Sequence, residues 1–150
     1  MVISIRRATS ADRPLLIEYN RAMALETEHK RLDETTLARG VAAVFDDSAK
    51  GFYLVADSTG EMVGQLMITT EWSDWRNGWF WWIQSVYVRP ENRKQGVFRS
   101  LFQEAERLAR AAGNVVGMRL YVERDNSNAQ RTYERLGMYD TGYLVFEKLC

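Results

Sequence analysis

The residues best placed to do chemistry are Arg93, Lys94, Gln95 and Gly96, with Val97 and Phe98 immediately after them. They join two stretches of opposite character. Before them, Trp79 to Val88 reads W-F-W-W-I-Q-S-V-Y-V, aromatic and β-branched with no breaker, which is strand chemistry. After them, Phe98, Leu101, Phe102, Ala105, Leu108, Ala109 and Ala112 fall at spacings of three and four, one face of a helix, and Gly113 can close it. A helix beginning between Arg93 and Gly96 presents backbone N–H groups without internal partners, together with the positive end of its dipole. Gly96 lets a ligand approach the backbone. Such a turn suits an anion, most naturally a phosphate or pyrophosphate. It is equally readable as an ordinary strand-to-helix connection with solvated basic residues.

Other chemistries are poorly supplied. The chain has one histidine, His29, and one cysteine, Cys150. A zinc site ordinarily draws several such ligands, so no metal is expected, and a Ser–His–Asp triad would have to be built on His29. Neither G-x-x-x-x-G-K-[ST] nor G-x-G-x-x-G occurs. A lone cysteine provides no disulfide framework. With 20 basic and 20 acidic residues the formal net charge is zero, so no global field favours nucleic acid or an anionic membrane. No apolar run reaches the roughly 18 residues of a membrane span. The first residues lack signal-peptide order, which places the expected location in the cytoplasm. A length of 150 residues with 46% hydrophobic and 27% charged content is that of a single globular domain, 1–150.

The elements that must position the turn can be read in order. Val2 to Arg7 alternates as a strand. Thr9 to Asp12 forms a capping-box pattern ahead of a helix striped by Leu15, Leu16, Tyr19, Ala22 and Met23. Glu26 to Arg31 is polar, a loop or a frayed end. Asp33 can cap a second helix through Phe45. Phe52 to Ala56 and Met62 to Thr70 make a hairpin, Glu71 to Gly78 a connector, Trp79 to Val88 the central strand. Val115 to Val122 is a further strand. Asp125 or Asn126 caps a short helix carrying Ala129, Tyr133 and Leu136, and Tyr143 to Leu149 is a final strand. The order β-α-α-β-β-β-α-β-α-β implies a mixed sheet, parallel around the long helix, with helices on both faces.

Two motifs in that order resemble the GNAT superfamily of acyl-CoA-dependent N-acetyltransferases. V-Y-V-R-P-E-N-R-K-Q-G-V-F is similar to V-x-V-x-P-x-x-[QR]-x-x-G-x-[GA], and N-S-N-A-Q-R-T-Y-E-R-L-G-M to N-x-x-A-x-x-x-Y-x-x-x-G-[FM]. The resemblance implies a mixed α/β (α+β) fold, mostly antiparallel, in which the parallel strands Trp79–Val88 and Val115–Val122 splay apart. It implies acetyl-CoA as co-substrate and no metal. Backbone at Val86, Tyr87 and Val88 would hold the pantetheine arm, and amides from Arg93 through Lys94, Gln95, Gly96 and Val97 to Phe98 the pyrophosphate. Asn126 would touch the cofactor arm, with Tyr133 near its sulfur as the acid for the leaving thiolate. The acceptor would be a small-molecule or peptide amine, and an exposed final strand could pair two copies in a homodimer.

The sequence departs from the pattern in places. Phe98 stands where the motif has a second glycine or alanine, so its ring must leave the phosphates, and the Leu101, Phe102 and Ala105 stripe offers it a place. Lys94 replaces a frequent glycine and is either a charge contact to a phosphate or a solvated side chain. Trp82 stands where some members carry a glutamate base. An amine nucleophile must lose its proton, and Glu71, then Glu28, are the candidate bases, each also readable as a surface carboxylate. The acidic group Glu26, Glu28, Asp33 and Glu34 suggests a cationic acceptor. Trp72 or Trp75 could wall an acceptor pocket and stack on it. Two rivals remain: a non-catalytic acyl-CoA-binding module, and an interaction domain that binds no CoA.

Overall fold

A computed structural model describes residues 2–150. The chain divides into a compact unit ending at Leu120 and a second, Tyr121–Cys150.

The first unit is built on a five-stranded sheet ordered β1-β2-β3-β4-β5: β1 Ser4–Arg7, β2 Phe52–Ser58, β3 Glu61–Ser73, β4 Gly78–Val88 and β5 Val115–Leu120. The first four pair antiparallel, and β5 joins β4 in parallel. Three long helices accompany them: α1 Arg13–Glu28, α2 Glu34–Asp46 and α3 Val97–Ala112. The side-chain period of two sorts the sheet into faces. Tyr53, Val55 and Tyr87 share a core with Leu16 and Tyr19 of α1 and Val41 of α2. The opposite face receives α3, and Gly64 permits the approach, because a Cβ there would lie 2.8 Å from Val97 Cγ1. Val97, Leu101, Phe102, Ala105 and Ala109 are the buried stripe of α3, the spacing that the sequence predicts.

Several expected boundaries move. The helix α1 continues to Glu28, and His29 closes it at φ 53° in the left-handed region. Half of the supposed connector Glu71–Gly78 is strand. β3 runs to Ser73 because Trp72 lies opposite Trp79, their rings edge to face at 5.0 Å, and only residues 74–77 turn. Such a cross-strand aromatic pair stabilises a ladder that the polar composition conceals.

In the second unit Asn126 caps α4, Ser127–Arg135, accepting from the Ala129 N–H at 3.1 Å. The expected final strand Tyr143–Leu149 does not form. Residues 138–150 carry no regular secondary structure, and Tyr143, Leu144, Val145, Phe146 and Leu149 are exposed. Strand propensity needs a partner strand to take effect. Here Asp140 and Thr141 side chains instead accept from the Gly142 and Tyr143 N–H groups and turn the backbone. Among the described residues no helix is long and apolar enough to cross a membrane.

Candidate active site

The central strand β4 outlasts its parallel neighbour. Its ladder with β5 ends at Ile83↔Leu120, so Gln84–Val88 run on with β3 along one edge only. Backbone groups on the other edge are left to meet something else. Within that overhang the strand bulges. Gln65 faces Tyr87 and Met67 faces Gln84, so two steps of β3 span three of β4. Ser85 absorbs the extra residue at φ 52°, a left-handed conformation costly for a residue with a Cβ. Its carbonyl accepts from Gln65 Nε2 at 2.9 Å.

Just beyond β4, Pro90–Asn92 form one turn of 3₁₀ helix, and the chain then reverses through Lys94 at φ 61° and Gly96 at φ 84°. Gly96 is the N-cap of α3 and, being glycine, brings no side chain to cap the first turn. The space where a Cβ of Gly96 would project is open. Glycine is thus required by the backbone rather than by crowding, and the N–H end of α3 stays approachable. That is the physical requirement of an anion site. Lys94 adopts the same handedness without being glycine, and its side chain is exposed.

The charge of Arg93 is engaged within the protein. Its Nη2 donates to Glu26 Oε2 at 2.8 Å and its Nε to the Val88 carbonyl at 2.9 Å, while its guanidinium lies 5.4 Å from the centre of the Tyr87 ring. The Tyr87 hydroxyl donates to Glu26 Oε1 at 3.5 Å. Burial first, and the Glu26 carboxylate second, push the Tyr87 phenol up. Arg93 therefore ties the turn to α1. Gln95 donates to the Glu91 carbonyl at 3.2 Å. The Phe98 ring turns to Phe102, 6.1 Å centre to centre, as the α3 stripe requires.

Of the candidate bases, Glu71 sits on β3 with Oε1 accepting from Trp82 Nε1 at 3.1 Å and Arg119 Nη1 at 3.0 Å. Glu28 ends α1, exposed. The acidic group around the α1–α2 loop is largely engaged in structure. Glu26 holds Arg93, Asp33 caps α2 through Thr36, and Glu34 pairs with Arg21 at 2.9 Å. Trp75 is exposed and Trp72 half exposed.

The structure thus brings Val86, Tyr87, Val88, Arg93, Lys94, Gln95, Gly96, Val97 and Phe98 together at one end of the first unit. In the second, Asn126 caps α4 and Tyr133 lies along it. Burial pushes the Tyr133 phenol up, which keeps it protonated at neutral pH. Sequence reasoning missed Ser85 and Gln65. The available signal was Gln65 itself, a polar residue in the apolar run M-V-G-Q-L-M-I.

The acetyltransferase (GNAT) family matches residues 15–138. The chain belongs to that family. A crystal structure of a possible acetyltransferase from Clostridium difficile 630 is 45% identical, with a TM-score of 0.92 over 100% of this chain and 99% of that one. The fold alone is shared with two more distant structures. One is a transcriptional regulator from Bacillus halodurans C-125, 21% identical, TM-score 0.84, covering 99% of this chain and 100% of that one. The other is a predicted acetyltransferase with acetyl-CoA from Clostridium acetobutylicum, 15% identical, TM-score 0.80, covering 98% and 96%. No curated protein matches.

Proposed function

We propose that this GNAT acetyltransferase transfers an acetyl group from acetyl-CoA to a primary amine by direct attack on the thioester. The observation that carries the reading is the overhang of β4, Gln84–Val88, leading directly into a glycine-capped helix whose first turn is open. An extended amide-bearing arm fits the first, and a pyrophosphate fits the second. The C. acetobutylicum structure, solved with acetyl-CoA, shares this fold. In this reading Val86 and Val88 pair with the arm, and the amides from Gly96 to Phe98 meet the pyrophosphate, with Lys94 adding charge. Asn126 contacts the arm, and the Val86 N–H holds the oxygen of the thioester as charge develops on it.

The new bond joins amine nitrogen to acetyl carbon while the carbon–sulfur bond breaks. The amine's proton passes to a base, Glu71 or Glu28, directly or through water, and the leaving sulfur accepts a hydrogen bond from Tyr133. A phenol of pKa about 10 transfers its proton uphill to a thiolate whose acid has pKa about 8.5, so Tyr133 stabilises the sulfur without becoming a phenolate. Proximity of amine and thioester supplies much of the acceleration. A primary-amine library offered with acetyl-CoA tests the reading, with free thiol as the readout. Thiol release dependent on one class of amine is the expected result, and none with any amine would sink it.

Trp82, in place of a carboxylate, and Glu71, tied to Arg119, favour a second reading: a module that binds acyl-CoA without turnover. It predicts acetyl-CoA binding by calorimetry with no thiol released.

A further inference from the structure

Gln65 is out of place by the standards of its surroundings. Its side chain is fully buried on β3, beside Val55 of β2 and Tyr87 of β4, in the core shared with α1 and α2. It makes one hydrogen bond, Nε2 to the Ser85 carbonyl at 2.9 Å. Because a carbonyl can only accept, the amide nitrogen must face Ser85, and Oε1 points elsewhere. Among the described residues Oε1 finds no partner. A methionine would fill similar space without burying an unpaired acceptor, so packing alone gives no reason for glutamine.

The bond has a geometric consequence. The Ser85 carbonyl and the Val86 N–H belong to one planar trans peptide and point in opposite directions. Gln65 draws the carbonyl toward β3. The Val86 N–H then points away from Gln65, in a stretch of β4 whose other edge β5 no longer covers. Ser85 at φ 52° resists this arrangement, so the grip from β3 is what keeps it. An ordinary ladder would alternate such groups by itself, but the bulge interrupts the ladder here and leaves the peptide plane to be set by a side chain.

We infer that Gln65 is a positioning residue for acyl transfer: by holding the Ser85 carbonyl it aims the Val86 N–H at the thioester oxygen. The inference deepens the acetyl-transfer reading and rests on it for what that N–H meets.

The test compares Gln65→Met, Gln65→Leu and the double variant Gln65→Met with Ser85→Gly. Removing a well-aimed oxyanion donor costs about 100- to 1000-fold in rate. Loosening its aim should lower kcat by about 10- to 100-fold, with KM for acetyl-CoA within about threefold, since the arm's other contacts are untouched. Glycine takes positive φ without strain, so Ser85→Gly should restore at least about threefold of the kcat lost by Gln65→Met. A side chain needed only for packing would show no such rescue. In parallel, the backbone carbon shifts and the HN–Hα coupling of Ser85, read by NMR, should move toward ordinary strand values in either single variant. Unmoved Ser85 signals, a kcat within twofold of wild type, or a loss that glycine at position 85 does not relieve would each overturn the inference. The NMR result stands whether or not the wild type turns over. A silent wild type with shifted Ser85 signals would refute the acetyl-transfer reading while upholding the geometry.

Discussion

From Trp79 to Ile83, β4 has a neighbour on each side. From Gln84 to Val88 it has β3 alone. The first part is packed with rings. Phe80 sits against Gly117, where a Cβ would lie 2.8 Å from the ring, and the Arg119 guanidinium stacks over that ring at 3.6 Å. Trp81 meets Phe52 edge-on at 5.4 Å. The second part carries Gln84, Ser85 and the bulge, and its Val86 and Val88 are only half-buried. One strand is thus a frame at its start and, at its end, a row of peptide groups that β5 does not pair. A backbone site can be held rigid without being covered, provided that the same strand is anchored a few residues earlier.

If that division is right, damage to the two parts should be felt in different measurements. The largest effect belongs to the frame. Trp81 is 8% exposed, and Trp81→Ala should cost about 3–5 kcal/mol of stability in urea unfolding, against about 1 kcal/mol for half-buried Val86→Ala. Equal losses would erase the contrast.

Tyr133→Phe tests chemistry from outside β4 altogether. A general acid contributes roughly 100-fold or more, and water can partly replace a hydroxyl, so kcat should fall by about 10- to 100-fold with CoA affinity little changed. Wild-type kcat, measured where chemistry limits the rate, would assign Tyr133 to packing only.

Gly96→Glu attacks the exposed end. It places a carboxylate in the open space before α3 and forces a Cβ into φ 84°, a strain of about 1–2 kcal/mol. CoA affinity by calorimetry should fall at least about tenfold while the fold persists. Undiminished binding would make the turn a connector and nothing more. At the adjacent Lys94, glycine should relieve the left-handed strain and raise stability by about 1 kcal/mol. No gain in denaturant midpoint would contradict that.

The smallest expected effect is a control on the frame. Arg6 donates to Asp12 at 2.8 Å and to Asp57 at 2.6 Å, tying β1 to β2 and to the entry of α1. The Arg6 hydrogen bond holds the Asp12 carboxyl below its usual value. A depressed folded-state pKa gives stability that is present above the unfolded value of about 3.9 and lost as pH falls further. Asp12→Asn should therefore flatten the acid side of the stability curve below about pH 4, with no effect on kcat at neutral pH. An unchanged acid slope would show the pair to be inert.

Much of this was legible in the sequence, for reasons that differ by element. The turn, Gly96 and the α3 stripe are local: spacing and handedness are fixed within a few residues. The hairpin, the capped α2 and the order of elements follow likewise. The bulge was not legible, because nothing in Q-S-V-Y reveals that one residue is surplus until β3 is laid beside it. Gln65 announced an anomaly without its purpose, since its partner is 20 positions away. The ion pair of Glu71 with Arg119, 48 positions later, was likewise beyond the sequence. The segment 143–149 has a strand's composition and no ladder, which composition cannot foresee.

The surplus residue also bears on which changes of length the chain can accept. Past Ser85 the inward and outward positions of β4 exchange parity, so Tyr87 reaches the same core as Gln84's partner Met67 and stacks near Tyr19 at 5.1 Å. Deleting Ser85 would leave every remaining side chain intact. It would remove the bulge, leaving two steps of β4 against two of β3, so that Tyr87 stays opposite Gln65 and keeps its face while the Ser85 carbonyl that Gln65 holds is lost. A gap of one codon there does what no substitution can: it straightens the strand without moving Tyr87 or Val88 to another face, and in comparing related chains a one-residue gap at Ser85 marks the loss of the bulge rather than a change of register.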